Sequence, residues 1–153
     1  MNKVSISIIG SGKISVENEL DSFRKKPASH LGAYLKYKKL FKINGIYDLN
    51  KNKSQKYAKL FKVYCFKSID ELLLSKSEII VLAINYKNNL EVIKYICQSK
   101  NKPKVIFCEK PISNKVSSAK KIYDFCNNNK VKLLINNRRL ENRYILAKRL
   151  IDS

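Results

Sequence analysis

Residues 4–15 read VSISIIGSGKIS. Val4 to Ile9 is β-branched and apolar at alternate positions and stops at Gly10, the pattern of a strand running into a tight turn. Gly10-Ser11-Gly12-Lys13-Ile14-Ser15 follows in the register G-x-G-x-x-G, with Ser15 in place of the third glycine. In that register the first glycine permits the turn, and the second lets backbone come close to a pyrophosphate. The third governs packing of the next helix, where a residue as small as serine is tolerated. Alone the pattern is weak, because many strands end at a glycine turn; its place directly after the first strand gives it weight.

Downstream, apolar runs alternate with helical stripes. Ser15 to Ala28 is polar and irregular and contains Pro27, and Ser29 to Phe41 then has helical spacing through Leu31, Tyr34, Leu35 and Leu40. A strand is expected at Ile43 to Tyr47, a helix over Lys51 to Phe61, and a short third strand at Val63 to Phe66. Ser68, with Glu71 three residues later, makes a capping box for a helix at Ile69 to Leu74. Glu78 to Ile84 is apolar on both faces, as suits a central parallel strand. A helix at Asn88 to Ser99, a strand at Lys104 to Cys108, a helix at Val116 to Cys126 and a sixth strand at Val131 to Ile135 complete the series. The run Asn127 to Asn129 can supply a left-handed cap. A last helix is expected over Leu140 to Ile151. Strands alternating with helices imply right-handed crossovers and one doubly wound parallel α/β sheet, whose ligands bind beyond the carboxyl ends of the strands.

Three stretches stand at such ends: Gly10 onward, Asp48, and Glu109-Lys110-Pro111. Asp48 is placed to accept hydrogen bonds from an adenosine ribose, a role favouring NAD over its 2′-phosphorylated form. It follows the glycine turn by more than the usual ~20 residues, so Ser15 to Ala28 reads as an insertion. An Asp opening a turn before Asn50 accounts for it equally well. A proline after a buried strand can simply end it. Equally, a proline there, trans or cis, fixes the direction of Lys110, and a cation so aimed can stabilise a developing alkoxide or polarise a carbonyl. His30, the sole histidine, reads as a helix-start residue rather than a general base, with no partner acid evident in the sequence nearby.

Composition sets the limits. With 153 residues, 44% hydrophobic, only three prolines and four glycines, the chain suits one globular domain. Lys and Arg outnumber Asp and Glu by 32 to 12, a formal charge of +20. The lysines are spread along the whole chain rather than gathered on one element, so a solvated surface is favoured over nucleic-acid binding; Tyr34 to Lys42 is the one local candidate, and its aromatics fall at core-facing helical spacing. Cys65, Cys97, Cys108 and Cys126 lack zinc-ligand spacing and a histidine cluster, so no metal is implied, and a reducing cytoplasm is the natural compartment. The N-terminal apolar run is too short for a signal or a membrane span.

Taken together, IIGSGKIS, IYDLN, FCEKPIS and INNRRLENRY resemble the N-terminal half of the Gfo/Idh/MocA dehydrogenases, related to glucose-fructose oxidoreductase and inositol dehydrogenase, over essentially all 153 residues. The C-E-K-P stretch followed by a strand and Arg138-Arg139 carries most of that likeness. The resemblance implies a Rossmann NAD(P)-binding fold with a nicotinamide cofactor, NAD or alternatively NADP, held by Gly10, Gly12, Lys13, Ile14, Asp48, Asn85, Glu109, Lys110, Pro111 and Arg139. Lys110 would be the catalytic residue beside the nicotinamide and the carbinol of a sugar, nucleotide sugar or polyol. Asn85 and Tyr86 depart from the family's Thr-Pro, Asn89 stands where a histidine often follows, and Leu140 replaces a phenylalanine. The family continues into an α+β domain carrying the usual catalytic histidine and most of the substrate pocket; the helix over 140–153 would lead into it, so poor unaided turnover is expected. A non-catalytic Rossmann cofactor-binding or scaffold protein is the alternative, and a basic nucleic-acid binder the third reading.

Overall fold

The structure is a computed structural model describing residues 2–137. Among them β1 (Val4–Ile9), β2 (Phe41–Tyr47), β3 (Ile79–Leu82), β4 (Val105–Cys108) and β5 (Lys132–Ile135) form one sheet in the order β2-β1-β3-β4-β5, with every neighbouring pair parallel. The helices α1 (His30–Lys36), α2 (Lys51–Phe61), α3 (Ile69–Leu74), α4 (Asn89–Gln98) and α5 (Val116–Asn128) occupy the connections. This is the doubly wound architecture the apolar runs demand. Strand order reverses at β1, which opens a crevice between the tips of β1 and β3 at the carboxyl edge.

The two faces of the sheet explain why β3 and β4 are apolar throughout. Ile80, Leu82 and Ile106 pack with Leu72, Ile93, Ile96 and Ile122 on one side. Ile6, Ile8, Ile46 and Val81 pack with Leu31, Tyr57 and Ala58 on the other. Successive side chains of a strand point to opposite faces, so Val81 and Leu82 serve different cores. Helix starts follow local chemistry: Ser29 accepts from Gly32 N, Asn50 from Lys53 N and Ser68 from Glu71 N. Glu71 reaches back to the Lys67 amide rather than to Ser68 itself.

Several expectations change. The third strand at Val63 to Phe66 is a single parallel bridge, Ile46 to Cys65, so the described sheet has five strands. Ile46 N donates to Tyr64 O at 2.9 Å and Phe66 N to Ile46 O at 2.9 Å, and the chain then turns away into α3. α1 ends at Lys36 instead of reaching Phe41, because Phe41 pairs with Val4 as the first residue of β2; Leu40 is left 52% exposed. α5 runs on to Asn128, and the left-handed residue after it is Lys130, not one of the asparagines.

A bulge at Asn44 in β2 sends its side chain to Ser77 Oγ, 2.8 Å away, beside the buried Ser7 to Ser77 hydroxyl contact of 2.7 Å. Gly45, the next residue, faces the bridge: a Cβ there would lie 2.6 Å from Tyr64 O and 2.7 Å from the Phe66 ring. Gly45→Ala is therefore expected to cost about 1–3 kcal/mol, seen as a lower urea midpoint at unchanged m-value.

Candidate functional site at the carboxyl edge

Strands β1, β2, β3 and β4 all end at this edge, and their tips carry the polar residues. After β1 the chain turns at Gly10, with φ of 95°, a conformation glycine adopts freely. Its amide is held by Tyr47 O at 2.8 Å, tying the turn to the end of β2. Asp48 completes that tie. One carboxylate oxygen accepts from Ser11 N at 2.6 Å and Ser11 Oγ at 2.8 Å, and the other accepts from Asn50 N at 2.9 Å. Burial acts to raise the Asp48 pKa, but the Ser11 and Asn50 hydrogen bonds and the charge of Lys53 outweigh it and hold the carboxyl below its usual range. The group is anionic at neutral pH. An ionised carboxylate has about four acceptor sites, so capacity remains for a ligand hydroxyl.

Gly12 presents an open face. A Cβ built on it meets nothing within 4 Å, and the residue lines a cleft of about 590 Å³ with Gly10, Tyr47, Asp48, Ile84 and Asn85. Among the described residues no hydrogen bond is donated by the Gly12, Lys13 or Ile14 amides. Free N–H groups on a glycine turn, open to a cleft that ends in a carboxylate, suit a pyrophosphate followed by a ribose. The residues thus fit a dinucleotide. Ser15 is buried, its hydroxyl donating to Gly12 O at 3.0 Å, which closes the turn as a small residue can.

A second depression of about 420 Å³ lies alongside and shares Ala83 and Ile84 with the first. Ile14, Glu109 and Lys110 line it, together with Asn18, Arg24 and Asn136. The glycine turn and the lysine therefore open onto adjoining halves of one edge, divided by the tip of β3. Lys110 is exposed, and its bond to Pro111 is cis. Below it, Asn89 is 1% exposed and donates to Ile112 O at 3.0 Å, pinning the loop after Pro111.

Glu109 has its own network. Its Oε1 lies 2.7 Å from His30 Nε2 and 2.6 Å from Asn136 Nδ2, with the His30 and Glu109 side chains 12% and 13% exposed. Burial pushes its carboxyl up, and the hydrogen bonds from His30 and Asn136 more than offset this, leaving it below its ordinary value of 4.5. His30 starts α1 as expected, but it has the acid partner that its sequence neighbours did not supply. That partner is 79 positions away, beyond any spacing rule, and only the β-α-β order placing both at one strand edge could have suggested it.

The remaining candidates are distributed less tightly. Lys13 is exposed on the turn and Pro111 on its loop, and neither lines a depression; Asn85 lines the first but spends its side-chain oxygen on Lys87 N. Arg139, with Arg138 and the helix expected over 140–151, lies outside the described residues. Among the described residues no group of three His, Cys, Asp or Glu is placed to hold a metal, and no helix is long and apolar enough to cross a membrane. All four cysteines are free, and Cys97, Cys108 and Cys126 are buried as small apolar residues. Sequence reasoning also missed the ion pair of Glu17 with Lys53, 2.8 Å apart, whose lysine lines the first cleft.

Comparison with solved structures gives the same architecture. The WlbA dehydrogenase from Bordetella pertussis, solved with NADH and UDP-GlcNAcA, superposes with a TM-score of 0.79 at 20% identity, covering 99% of this chain and 42% of its own. The UDP-N-acetylglucosamine 3-dehydrogenase GnnA from Acidithiobacillus ferrooxidans gives 0.72 at 18% identity, covering 98% and 44%. The WlbA enzyme from Chromobacterium violaceum, also with NADH and UDP-GlcNAcA, gives 0.80 at 15%, covering 99% and 40%. This chain thus spans about two-fifths of the length of those dehydrogenases, and no curated protein sequence matches it. The family model for the oxidoreductase family with NAD-binding Rossmann fold matches residues 4–137, from the first residue of β1 to just past the tip of β5. A match over that span, on a sheet whose glycine turn, Asp48 and C-E-K-P loop meet at one edge, makes this chain a member of the Gfo/Idh/MocA oxidoreductase family.

Proposed function

We propose that the chain binds NAD(H) along the carboxyl edge of its sheet and presents Lys110 to a carbinol of a sugar, nucleotide sugar or polyol for hydride transfer. The observation carrying this reading is the open face of Gly12 on a cleft that shares Ala83 and Ile84 with the depression lined by Lys110. In it, the Gly12 to Ile14 amides receive the pyrophosphate and Asp48 accepts the ribose hydroxyls. Glu109, fixed by His30 and Asn136, and Pro111 keep the Lys110 loop in place. When bound, the nicotinamide supplies or accepts the hydride. Lys110 hydrogen-bonds the reacting oxygen and stabilises its developing negative charge. The WlbA and GnnA neighbours act on or hold UDP-sugars, which supports a sugar carbinol as the substrate class.

Titration with NADH, followed by nicotinamide fluorescence, should give saturable binding; its absence in the folded chain would overturn the reading. Where reduction of a sugar ketone is measured, Lys110→Met is expected to lower the rate roughly 10²–10³-fold with the Kd for NADH unchanged. Equal loss of binding and rate would remove Lys110 from the chemistry.

A further inference from the structure

Lys53 is the only Lys or Arg among the described residues lining the dinucleotide cleft, and it is already engaged. Its Nζ lies 2.8 Å from Glu17 Oε1, and the Tyr57 hydroxyl donates to the same oxygen at 3.1 Å. Lys53 and Tyr57 sit one helical turn apart on α2 and face the same way. Glu17 comes from elsewhere, the 3-10 turn Glu17–Leu20 in the inserted segment. Glu17 thus engages the one Lys or Arg among the described residues that lines the cleft. Asp48 is the other acid acting on Lys53, and Lys13 adds a positive charge near Glu17. Glu17 is held below the usual carboxylate range chiefly by its Lys53 hydrogen bond, so the pair is ionised.

The charge pattern bears on what can sit on the ribose. A 2′-hydroxyl can donate to Asp48. A 2′-phosphate is a dianion with no proton to give that carboxylate; it needs an uncommitted cation, and Glu17 competes with it for Lys53. The geometry points to Glu17 as the residue that sets the ribose preference of the cofactor, by withholding Lys53 from a 2′-phosphate. This rests on the dinucleotide reading above. Glu17 acts through Lys53, as a positioning residue. The prediction is that the chain prefers NADH to NADPH and that freeing Lys53 erodes that preference.

The test is the pair of dissociation constants for NADH and NADPH, by titration calorimetry on the whole chain. Glu17→Gln keeps the side-chain shape and an acceptor for Tyr57 while removing the charge. It should tighten NADPH about tenfold and leave NADH unchanged, with the gain shrinking as salt rises. The double variant with Lys53→Met should lose the gain. If Glu17→Gln does not fold, Glu17→Ser takes its place, again freeing Lys53 and expected to tighten NADPH. A wild-type chain that binds both nucleotides equally, or a ratio indifferent to removal of the Glu17 charge, overturns the inference while NADH still binds. Binding of neither nucleotide removes the dinucleotide reading itself, and the inference with it.

Discussion

A valine at Gly10 is expected to take away most of the domain's stability, whereas a valine at Gly12 is expected to leave the fold intact and abolish NADH binding. The two glycines share a turn but face different neighbours. A Cβ on Gly10 would overlap Ala83 O and lie 2.9 Å from its carbonyl carbon, with φ of 95° besides. Ala83 N is bonded to Ile9 O and Gly10 N to Tyr47 O, so neither backbone can retreat without opening the sheet. Positive φ costs a β-branched residue about 1–2 kcal/mol, overpacking adds about 1–3 kcal/mol, and disrupted sheet bonds add more. Against a typical total of about 5–15 kcal/mol, urea unfolding should show a collapsed midpoint. Gly12 has no positive φ and nothing within 4 Å of its missing Cβ, so valine there meets only the cleft. It would occupy the space assigned to the pyrophosphate, and a loss of at least about 100-fold in NADH affinity, near 3 kcal/mol, is expected at an unchanged urea midpoint. A Gly12→Val chain that still binds NADH would show that the ligand does not approach this turn.

That contrast marks what can and cannot be read from residues alone. The parallel sheet was legible because burial on both faces leaves runs such as Ile79 to Leu82 without polar alternation. The caps Ser29 and Asn50 were not singled out, whereas Ser68 was legible as a helix start because capping is local. Val63 to Phe66 was not, since its composition is that of a strand and only Gly45, which lets it approach β2 through one bridge, decides how far pairing extends. The end of α1 failed for a similar reason: Leu40 and Phe41 continue the helical spacing, but pairing of Phe41 with Val4 outweighs it. Gly10, Gly12, Asp48 and Lys110 were singled out by their place after strands, and they do line the depressions at the carboxyl edge. His30 with Glu109, and Glu17 with Lys53, escaped because each pair joins the stretch between β1 and β2 to another element, and no sequence period links such positions.

The Glu109 cluster gives the second large effect. Glu109→Ala is expected to destabilise the chain by about 2–4 kcal/mol, because it strips a partner from His30 Nε2 and from Asn136 Nδ2 at little-exposed positions. Glu109→Gln keeps the shape and one acceptor, and should lose about half as much. The carboxyl's folded pKa lies below its ordinary 4.5, so its charge stabilises the folded chain fully above pH 4.5, and that contribution fades as pH falls through the folded value. The difference in urea midpoint between the wild-type chain and Glu109→Gln should therefore close below pH 4.5. A difference that persists at pH 3 would assign the loss to shape instead of charge. Because His30 heads α1 while Glu109 follows β4, the same substitution should also loosen the start of α1, read as faster amide exchange over residues 31–36 than elsewhere in the chain. Uniform acceleration throughout would mean that the cluster supports global stability without clamping the two elements together.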